Sequence, residues 1–337
     1  MVIDCIPFFN ELDILNLRLH VLDPYVDRFV IEESTRTFSG DKKKLCFAAH
    51  KDMFAPFLHK IDYVVVDDDV LSEDGIHVNP AAAVYAPEIP GQPLTHRRDY
   101  FQKNHLMDHL QGLSDEDVIL FGDLDEIPNP AALSHVLADY DPSKVYHLAQ
   151  RNFYVFLNME EQPVRLHSIT GEFPDIPEDQ RKWLGTKICS IGSIPPEGIV
   201  RLRDLVPVTD PRSVRVEDGG WHFGYMGGHR ETNVLNRIGT KIRAAAHQEY
   251  NDAEIIAETM DKLVLGQDIF GRNASFCRVE LDETYPAYLL EHRQEYEYLI
   301  LPPITAWTRL THRFDLTVGR FCRKAVRKVR RTMHVRP

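Results

Sequence analysis

The sequence lacks the features of a secreted, membrane-spanning or nucleic-acid-binding protein. Its five cysteines are scattered, odd in number and without a CxxC pair, so we expect free thiols in a reducing compartment. No stretch approaches the roughly 20 apolar residues of a membrane span. Asp4, Glu11 and Asp13 interrupt any apolar signal-peptide core. A formal net charge of −12 argues against nucleic acid as the main partner, and we expect a cytoplasmic protein.

Apolar residues are abundant enough for a globular protein with a sizeable core. The 337 residues are 43% hydrophobic and 27% charged, a composition typical of globular domains, and the length suits one large α/β domain or two small ones. The charge is uneven, because residues 313–337 carry nine Lys or Arg and one Asp. That tail is +8 and the remaining body −20, so we separate residues 1–312 from a basic tail at 313–337.

The order of apolar runs and helical periodicities predicts an α/β fold. We predict strands at 1–9, 26–32, 61–67 and 117–122, and helices at 11–22 and 95–113. This order is typical of a mostly parallel sheet covered by helices on both faces. Further along we predict helices at 130–139, 231–248 and 252–265, a long aromatic strand or hairpin at 145–158, and short strands at 188–194 and 200–206.

The most informative motif is VILFGDLDEIPNP at residues 118–130, where a buried strand runs into carboxylates. Such charges are costly at the end of an apolar strand unless a positive group meets them. Because side chains alternate along a strand, we predict that Asp123 and Asp125 point to the same side. Two carboxylates suit Mg²⁺ or Mn²⁺ together with substrate phosphates, at the carboxyl edge of an α/β sheet. The alternative is an ordinary turn or helix cap.

A second candidate is His222, inside the glycine-rich segment GGWHFGYMGG at residues 219–228. Flanking glycines permit close backbone approach, and a histidine here could bind a metal or contact phosphate. The alternative is a packed histidine bonded to the backbone.

Other charged residues are weaker candidates. Glu33 ends the second strand, where nucleotide-binding sheets often place an acid, but it could equally begin a loop. Lys103, with Arg97 and Arg98, could meet a diphosphate or form a solvated basic face. Three acids are candidate general bases only because a base is needed, namely Glu172, Glu231 and Glu249. The Asp67–Asp69 run is more typical of a solvated strand end than of a metal site.

The tail at residues 318–331 has an apolar stripe surrounded by arginine and lysine. A basic amphipathic helix favours an anionic membrane surface, here at the inner face of a membrane. The alternatives are a solvated tail or one docked on the acidic body.

The sequence resembles glycosyltransferase family 17, whose known members are β-1,4-mannosyl-glycoprotein β-1,4-N-acetylglucosaminyltransferases. The resemblance is carried by the opening FFNELDILNLRLHVLDPYVDRFVIEESTRTFSG, by GDLDEIP and by GGWHFGY, and it extends over roughly residues 1–240. It implies a GT-A-like fold, a mostly parallel nucleotide-sugar-binding sheet flanked by helices with a smaller acceptor-side region, within residues 1–312. It also implies sugar transfer with inversion, GlcNAc from UDP-GlcNAc being the expected donor, to a glycan acceptor hydroxyl.

The resemblance assigns the metal site, and the sugar transfer that it implies requires further residues to bind the donor, to act as base and to face the sugars. Mn²⁺ or Mg²⁺ is expected at Asp123 and Asp125, with His222 completing the site. Donor contacts are expected from Asn10, Glu11, Glu33, Lys103 and Asp123. Glu231 and Glu249 are the candidate bases that would take the acceptor proton. Aromatic residues between Tyr146 and Phe156, with Trp183 and Trp221, are expected to form walls that face the sugars.

Two other functions stay open from the residues alone. GDLDEIP superficially resembles the strand end of haloacid-dehalogenase-like phosphatases, although the motif is central here and its first Asp lacks the usual setting of a nucleophile. The chain could also be a non-catalytic nucleotide-sugar-binding protein.

Overall fold

The computed structural model describes residues 1–67, 91–162, 183–204, 210–230, 232–272 and 274–333. The elements of the first half are β1 (Val2–Phe8), α1 (Leu12–Leu22), β2 (Arg28–Ser34), α2 (Cys46–Ala49), β3 (Ile61–Val66), α3 (Leu94–His105), β4 (Val118–Phe121), β5 (Glu126–Pro128) and α4 (Pro130–Ala138). Those of the second half are β6 (Val145–Tyr154), β7 (Met159–Gln162), β8 (Trp183–Ser190), α5 (Arg201–Asp204), β9 (Ser213–Gly224), α6 (Val234–Ala244), α7 (Ala253–Val264), β10 (Ser275–Arg278), α8 (Ala287–Glu291) and α9 (Ala306–Met333).

One sheet contains all ten strands of the described residues. Its first half is parallel and has the order β3–β2–β1–β4. β8 then pairs antiparallel with β4 and β6, and β7 and β10 extend the sheet. β9 runs parallel to β6 and also pairs with β5. This is a helix-flanked α/β sheet with a parallel half, so the predicted α/β fold class is confirmed.

Helix α1 is buried more completely than its sequence predicts. Leu12, Leu15, Leu19 and Leu22 form an apolar stripe at helical spacing that is buried, but side chains on the other faces of the helix are buried too. His20 explains part of this, because its ring stacks on Tyr288 of α8 at 3.8 Å. Helix α1 thus lies between the sheet and the C-terminal segment, and its first turn is held beside the end of β1.

Two predicted elements of the second half are corrected. Residues 188–190 belong to β8, but a 3₁₀ turn follows at Ile191–Ser193. The predicted strand at 200–206 is wrong where the structure describes it, because Arg201–Asp204 is a short helix. The alternation of Val200, Leu202 and charged residues suggested a strand. In the fold, Leu202 packs in the core while Arg203 turns toward the end of β4.

The C-terminal helix α9 begins at Ala306, before the residue 312/313 division chosen from charge. Its first turns pack against α7, and His312 Nδ1 lies 2.6 Å from an Asp261 carboxylate oxygen. Among the helices of the described residues, none combines the length and the apolar character that crossing a bilayer requires.

Candidate active site

The candidate site lies where β1, β2 and β4 end at one edge of the parallel half-sheet. Their register brings together the chain after Phe8, the end of β2 at Glu33 and the turn after Phe121. The carboxyl ends of parallel strands are where α/β proteins bind ligands.

A buried carboxylate organises the turn after β4. Glu126 accepts hydrogen bonds from the backbone N–H of Asp123 (3.0 Å), the indole N–H of Trp183 (2.8 Å) and the guanidinium of Arg203 (2.7 Å). Gly122 is required here, since a Cβ would lie 2.7 Å from the Glu126 carboxylate. Residues 123–125 therefore form a turn rather than extending the strand, and strand alternation does not orient Asp123 and Asp125.

A buried ion pair supports the same turn from below. Arg18 of α1 and Asp4 of β1 are both fully buried and form two 2.7 Å hydrogen bonds. The remaining donor group of Arg18 bonds the carbonyl oxygens of Asp123, Leu124 and Glu126, at 3.3, 3.2 and 2.7 Å. Arg18 thus fixes the backbone that presents the acidic motif.

Asp123 faces two cations. Its carboxylate lies 3.2 Å from Lys103 Nζ and 2.7 Å from the Arg203 guanidinium, and about a third of the side chain is exposed. Burial works against its ionisation, but Arg203 and Lys103 outweigh that effect and hold the pKa of Asp123 well below its ordinary value. Asp123 is therefore a paired, ionised carboxylate at the mouth of the site.

Asp125 faces a different set of partners and is buried. One carboxylate oxygen lies 3.6 Å from His222 Nε2, and the other lies 4.0 Å from Lys241 Nζ. Burial raises the pKa of Asp125 above its ordinary value, and Asp123 and Glu11 add to the effect although Lys241 opposes it. A further cation close to Asp125 would stabilise its charged form.

Glu11 connects this pair to the end of β1. It accepts hydrogen bonds from the backbone N–H of Asn10 and from Lys241. Burial alone would raise the pKa of Glu11, but Lys241 and the backbone donors together lower it. Asn10 lies beside it, and its buried Oδ1 has no hydrogen-bond partner among the described residues.

The glycine-rich segment around His222 serves a close approach of strands. Gly220 has φ +125°, and a Cβ there would lie 2.1 Å from the carbonyl oxygen of Ile127. Only glycine allows β9 to pair with β5 at this point, which places His222 opposite Glu126. The ring of His222 stacks on Trp183, with centroids 4.5 Å apart.

The predicted metal residues thus meet in part. Asp125 and His222 are neighbours, whereas the carboxylate of Asp123 turns to Lys103 and Arg203. In the ranges that the structure describes, no three His, Cys, Asp or Glu side chains are grouped as a set of metal ligands.

Glu33 occupies a structural position. It is fully buried and accepts bonds from Lys43 Nζ (2.6 Å), the backbone N–H groups of Cys46 (2.6 Å) and Phe47 (3.0 Å), and Tyr63 Oη (2.9 Å). Glu33 thus caps the short helix α2 and fixes the segment from Lys43 to Phe47. Any contribution of Glu33 to donor binding would be indirect, through this segment. Arg97 and Arg98 are buried rather than on a solvated face.

None of the candidate bases is found at the site among the described residues. Glu231 and Glu172 lie outside the described residues, as do Asp68 and Asp69 of the third strand's acidic end. Glu249 is exposed beside His247, 3.0 Å from its Nδ1. Burial opposes ionisation of Glu249, but its hydrogen bonds, including that of His247, together bring its pKa below the ordinary value, which weakens it as a base.

The predicted aromatic walls divide into two groups. Trp221 and Phe153 belong to the hydrophobic core, and Trp221 donates its indole N–H to the Thr284 carbonyl. The prediction that Trp221 faces a sugar is wrong. Successive side chains of β9 point to opposite faces of the sheet, so Trp221 faces the core when His222 faces the site. Trp183 is half-buried beside His222 and stays a candidate.

Sequence reasoning missed three cations, Arg18, Arg203 and Lys241. Each contacts a part of the site that is distant in sequence: Arg18 bonds carbonyl oxygens of the turn more than 100 residues away, and Lys241 and Glu11 are 230 residues apart. The only available signal was the acidic motif itself, whose charges required positive partners from elsewhere in the chain.

Together these side chains form a negatively charged network at the sheet edge. Five carboxylates, Glu11, Asp99, Asp123, Asp125 and Glu126, meet three cations, Lys103, Arg203 and Lys241. With His222 neutral, the formal charge of this set is −2. Such a site can bind a diphosphate only when further positive charge accompanies it.

Comparisons with known proteins give a family match and a similar solved structure. Residues 1–165 match the family model described as glycosyltransferase family 17. The crystal structure of S. aureus TarS 1-349 is similar over 79% of this chain and 70% of that chain, with 12% identity and a TM-score of 0.34. No curated protein matches the sequence. The family match covers β1 to β7, including the whole acidic motif, so residues 1–165 belong to glycosyltransferase family 17 and the protein is a glycosyltransferase.

Proposed function

We propose that the protein transfers GlcNAc from UDP-GlcNAc to a glycan hydroxyl, with inversion and with a divalent metal ion. The observation that carries the proposal is the pairing of Asp125 with His222 at 3.6 Å, at the edge of the sheet where the cations of the site also meet. The donor sugar, the inversion and the glycan acceptor come from the family resemblance.

The side chains at this edge fit a divalent metal. Asp125 and His222 are an oxygen and a nitrogen ligand of suitable type, and a bound cation would oppose the effect of burial, which raises the pKa of Asp125. Asp123 would join them directly or through water, since a third of its side chain is exposed. When bound, Mn²⁺ or Mg²⁺ would neutralise the departing diphosphate.

The remaining residues would position the donor. Lys103 and Arg203 hold Asp123 and lie where the phosphates would approach, so they can share their hydrogen bonds with phosphate oxygens. Lys241 keeps Glu11 and Asp125 together. Asn10, with its unpaired Oδ1, is available to a donor hydroxyl or N–H. Glu231 stays the predicted base for the acceptor proton.

This proposal is favoured over the two alternatives. A phosphatase of the haloacid-dehalogenase type needs an unencumbered nucleophilic aspartate, whereas Asp123 is tied to Lys103 and Arg203. A protein that only binds nucleotide sugars would release no UDP, and membership of a glycosyltransferase family supports turnover.

A screen of nucleotide sugars for metal-dependent hydrolysis tests the proposal without knowledge of the acceptor. We expect UDP release from UDP-GlcNAc in the presence of Mn²⁺, and loss of at least 90% of it in excess EDTA, because the site is negatively charged without the metal. Release of UDP at the same rate in EDTA would contradict the proposed metal dependence. Release from another nucleotide sugar alone would contradict the donor.

We also propose that α9 contacts an anionic membrane surface. Trp307, Leu310, Phe314 and Val318 lie on one side of the helix, and they are 72, 58, 65 and 38% exposed. Seven Arg or Lys and no acid follow between residues 319 and 331. An apolar stripe continued by basic residues is typical of a helix that lies in a lipid interface.

Co-sedimentation with vesicles tests this contact. The full chain should pellet with vesicles containing phosphatidylserine, and less so at high salt, because exposed charges are screened. Phe314→Ser should weaken pelleting, while the matched exposed variant Leu235→Ser of α6 should not. Equal pelleting of the full chain and of a version ending at residue 312 would rule the contact out.

A further inference from the structure

A row of buried polar side chains continues from His222 into the sheet, away from the carboxylates. Asn152 of β6 lies in register with His222 of the parallel neighbour β9. Gln150 lies two residues earlier on β6, and therefore on the same face as Asn152. Gln150 and Asn152 are fully buried, and His222 is 9% exposed.

Most of the polar atoms in this row have no hydrogen-bond partner. Within the described part of the chain, both amide atoms of Gln150, Oδ1 of Asn152 and Nδ1 of His222 are buried and unpaired. Buried polar atoms are nearly always paired in folded proteins, because leaving them unpaired is costly. Four of them in one row indicate that a ligand supplies the partners.

Neighbouring residues fix the positions of the two amides in the row. On the other face of the same strands, Phe153 packs on Phe223 at 5.3 Å between centroids. Asn152 is oriented by its amide, which donates to Glu161 at 2.6 Å. Gly185 of β8 leaves space for Gln150, since a Cβ there would lie 1.7 Å from the amide oxygen.

The chemistry of these atoms selects the class of ligand. A carboxamide offers a donor and an acceptor side by side, and each hydroxyl of a sugar also donates and accepts. The row itself contains no cation, so it does not suit phosphate. Trp183, stacked on His222, adds an aromatic surface at its border.

We propose that Gln150, Asn152 and the Nδ1 side of His222 bind the hydroxyl groups of a pyranose and so select the sugar. This inference rests on the proposed function, because it takes one of the two reacting sugars as the ligand. Asp125 faces Nε2 of His222, so the same imidazole joins the carboxylate site to the sugar row. The pyranose belongs either to the donor or to the acceptor.

The variant Gln150→Met separates binding from stability. Methionine has nearly the volume of glutamine but no strong hydrogen-bonding atoms, so it removes two unpaired buried groups without leaving a cavity. We expect an unchanged or higher melting temperature together with weaker sugar binding. Gln111→Met, at an exposed position near the start of β4, is the matched control. Gly185→Ala should displace the Gln150 amide and give the same loss with the glutamine retained.

Calorimetry with UDP, UDP-GlcNAc and a panel of methyl pyranosides distinguishes the two sources. If the row binds the donor sugar, Gln150→Met should weaken the binding of UDP-GlcNAc about 10-fold and leave the affinity for UDP unchanged. If the row binds the acceptor sugar, the affinity for UDP-GlcNAc should be unchanged and the affinity for a methyl pyranoside should fall by a similar factor.

Failure of the row is distinct from failure of the proposed function. If the wild-type protein bound no UDP-GlcNAc, the donor would be wrong, and the row would still be tested by the other nucleotide sugars and the pyranosides. The inference is overturned if Gln150→Met weakens none of them. It is also overturned if the melting temperature falls by more than about 5 °C, because the amide would then support the fold.

Discussion

Replacing Asp125 by asparagine is expected to lower nucleotide-sugar turnover by about 10²–10³-fold in saturating Mn²⁺. Asparagine keeps the shape of the side chain but removes the charge that would hold the metal beside His222. Loss of a few kcal/mol of stabilisation of the departing diphosphate corresponds to this factor. The rate of UDP release from UDP-GlcNAc measures the effect.

Two readouts separate this role from a structural one. The variant should bind Mn²⁺ more weakly, as measured by electron paramagnetic resonance, while its melting temperature stays within about 2 °C of wild type or rises, because a buried charge is removed. Asp139→Asn, on the exposed end of α4, is the control and should change neither. Wild-type turnover by Asp125→Asn would disprove the proposed metal site.

The location of this site could be predicted from the sequence because its signals are local. An apolar run followed by carboxylates marks the end of β4, and the strand–helix order places that end at the ligand-binding edge of a parallel sheet. The glycines around His222 also marked a close approach, and the structure gives the reason at Gly220, whose missing side chain leaves room for the backbone of β5.

The orientation of the carboxylates could not be predicted, because it depends on a local turn at Glu126 and on Arg203, which is distant in sequence. Alternation would have placed Asp123 and Asp125 on one side, but Glu126 bonds back to the Asp123 amide and converts the segment to a turn. Arg203 then pairs with Asp123 and turns its carboxylate away from Asp125. Arg203 lies in a short helix for which the alternating sequence pattern predicted a strand. Short amphipathic segments carry too few residues for periodicity to separate the two structures.

The buried row on β6 shows a second limit of sequence reading. Gln150 and Asn152 stand in a run of aromatic and apolar residues, where the sequence favours aromatic walls for the sugars. The parallel pairing of β6 with β9 is what places the amides beside His222. Which face of a strand is functional follows from its neighbours, and these are set by the whole sheet.

Arg18 gives the prediction with the largest effect on folding. Arg18→Met leaves Asp4 charged and unpaired in the core, and loss of one partner of a buried pair costs about 3–5 kcal/mol. The free energy of unfolding in urea should fall by this amount. The double variant Asp4→Leu with Arg18→Met removes both charges and should recover about 2 kcal/mol or more of the loss, since an apolar pair of similar volume is often tolerated.

Turnover should not recover with stability. In the double variant the carbonyl oxygens of Asp123, Leu124 and Glu126 still lack the guanidinium that bonds them, so the turn that presents Asp125 is no longer fixed. A displacement of about 1 Å at a catalytic group can cost roughly 10²-fold in rate, and we expect UDP release at least 10-fold below wild type. If the double variant were restored in both stability and rate, Arg18 would serve the core alone, and the turn would owe its shape to Glu126 and Arg203.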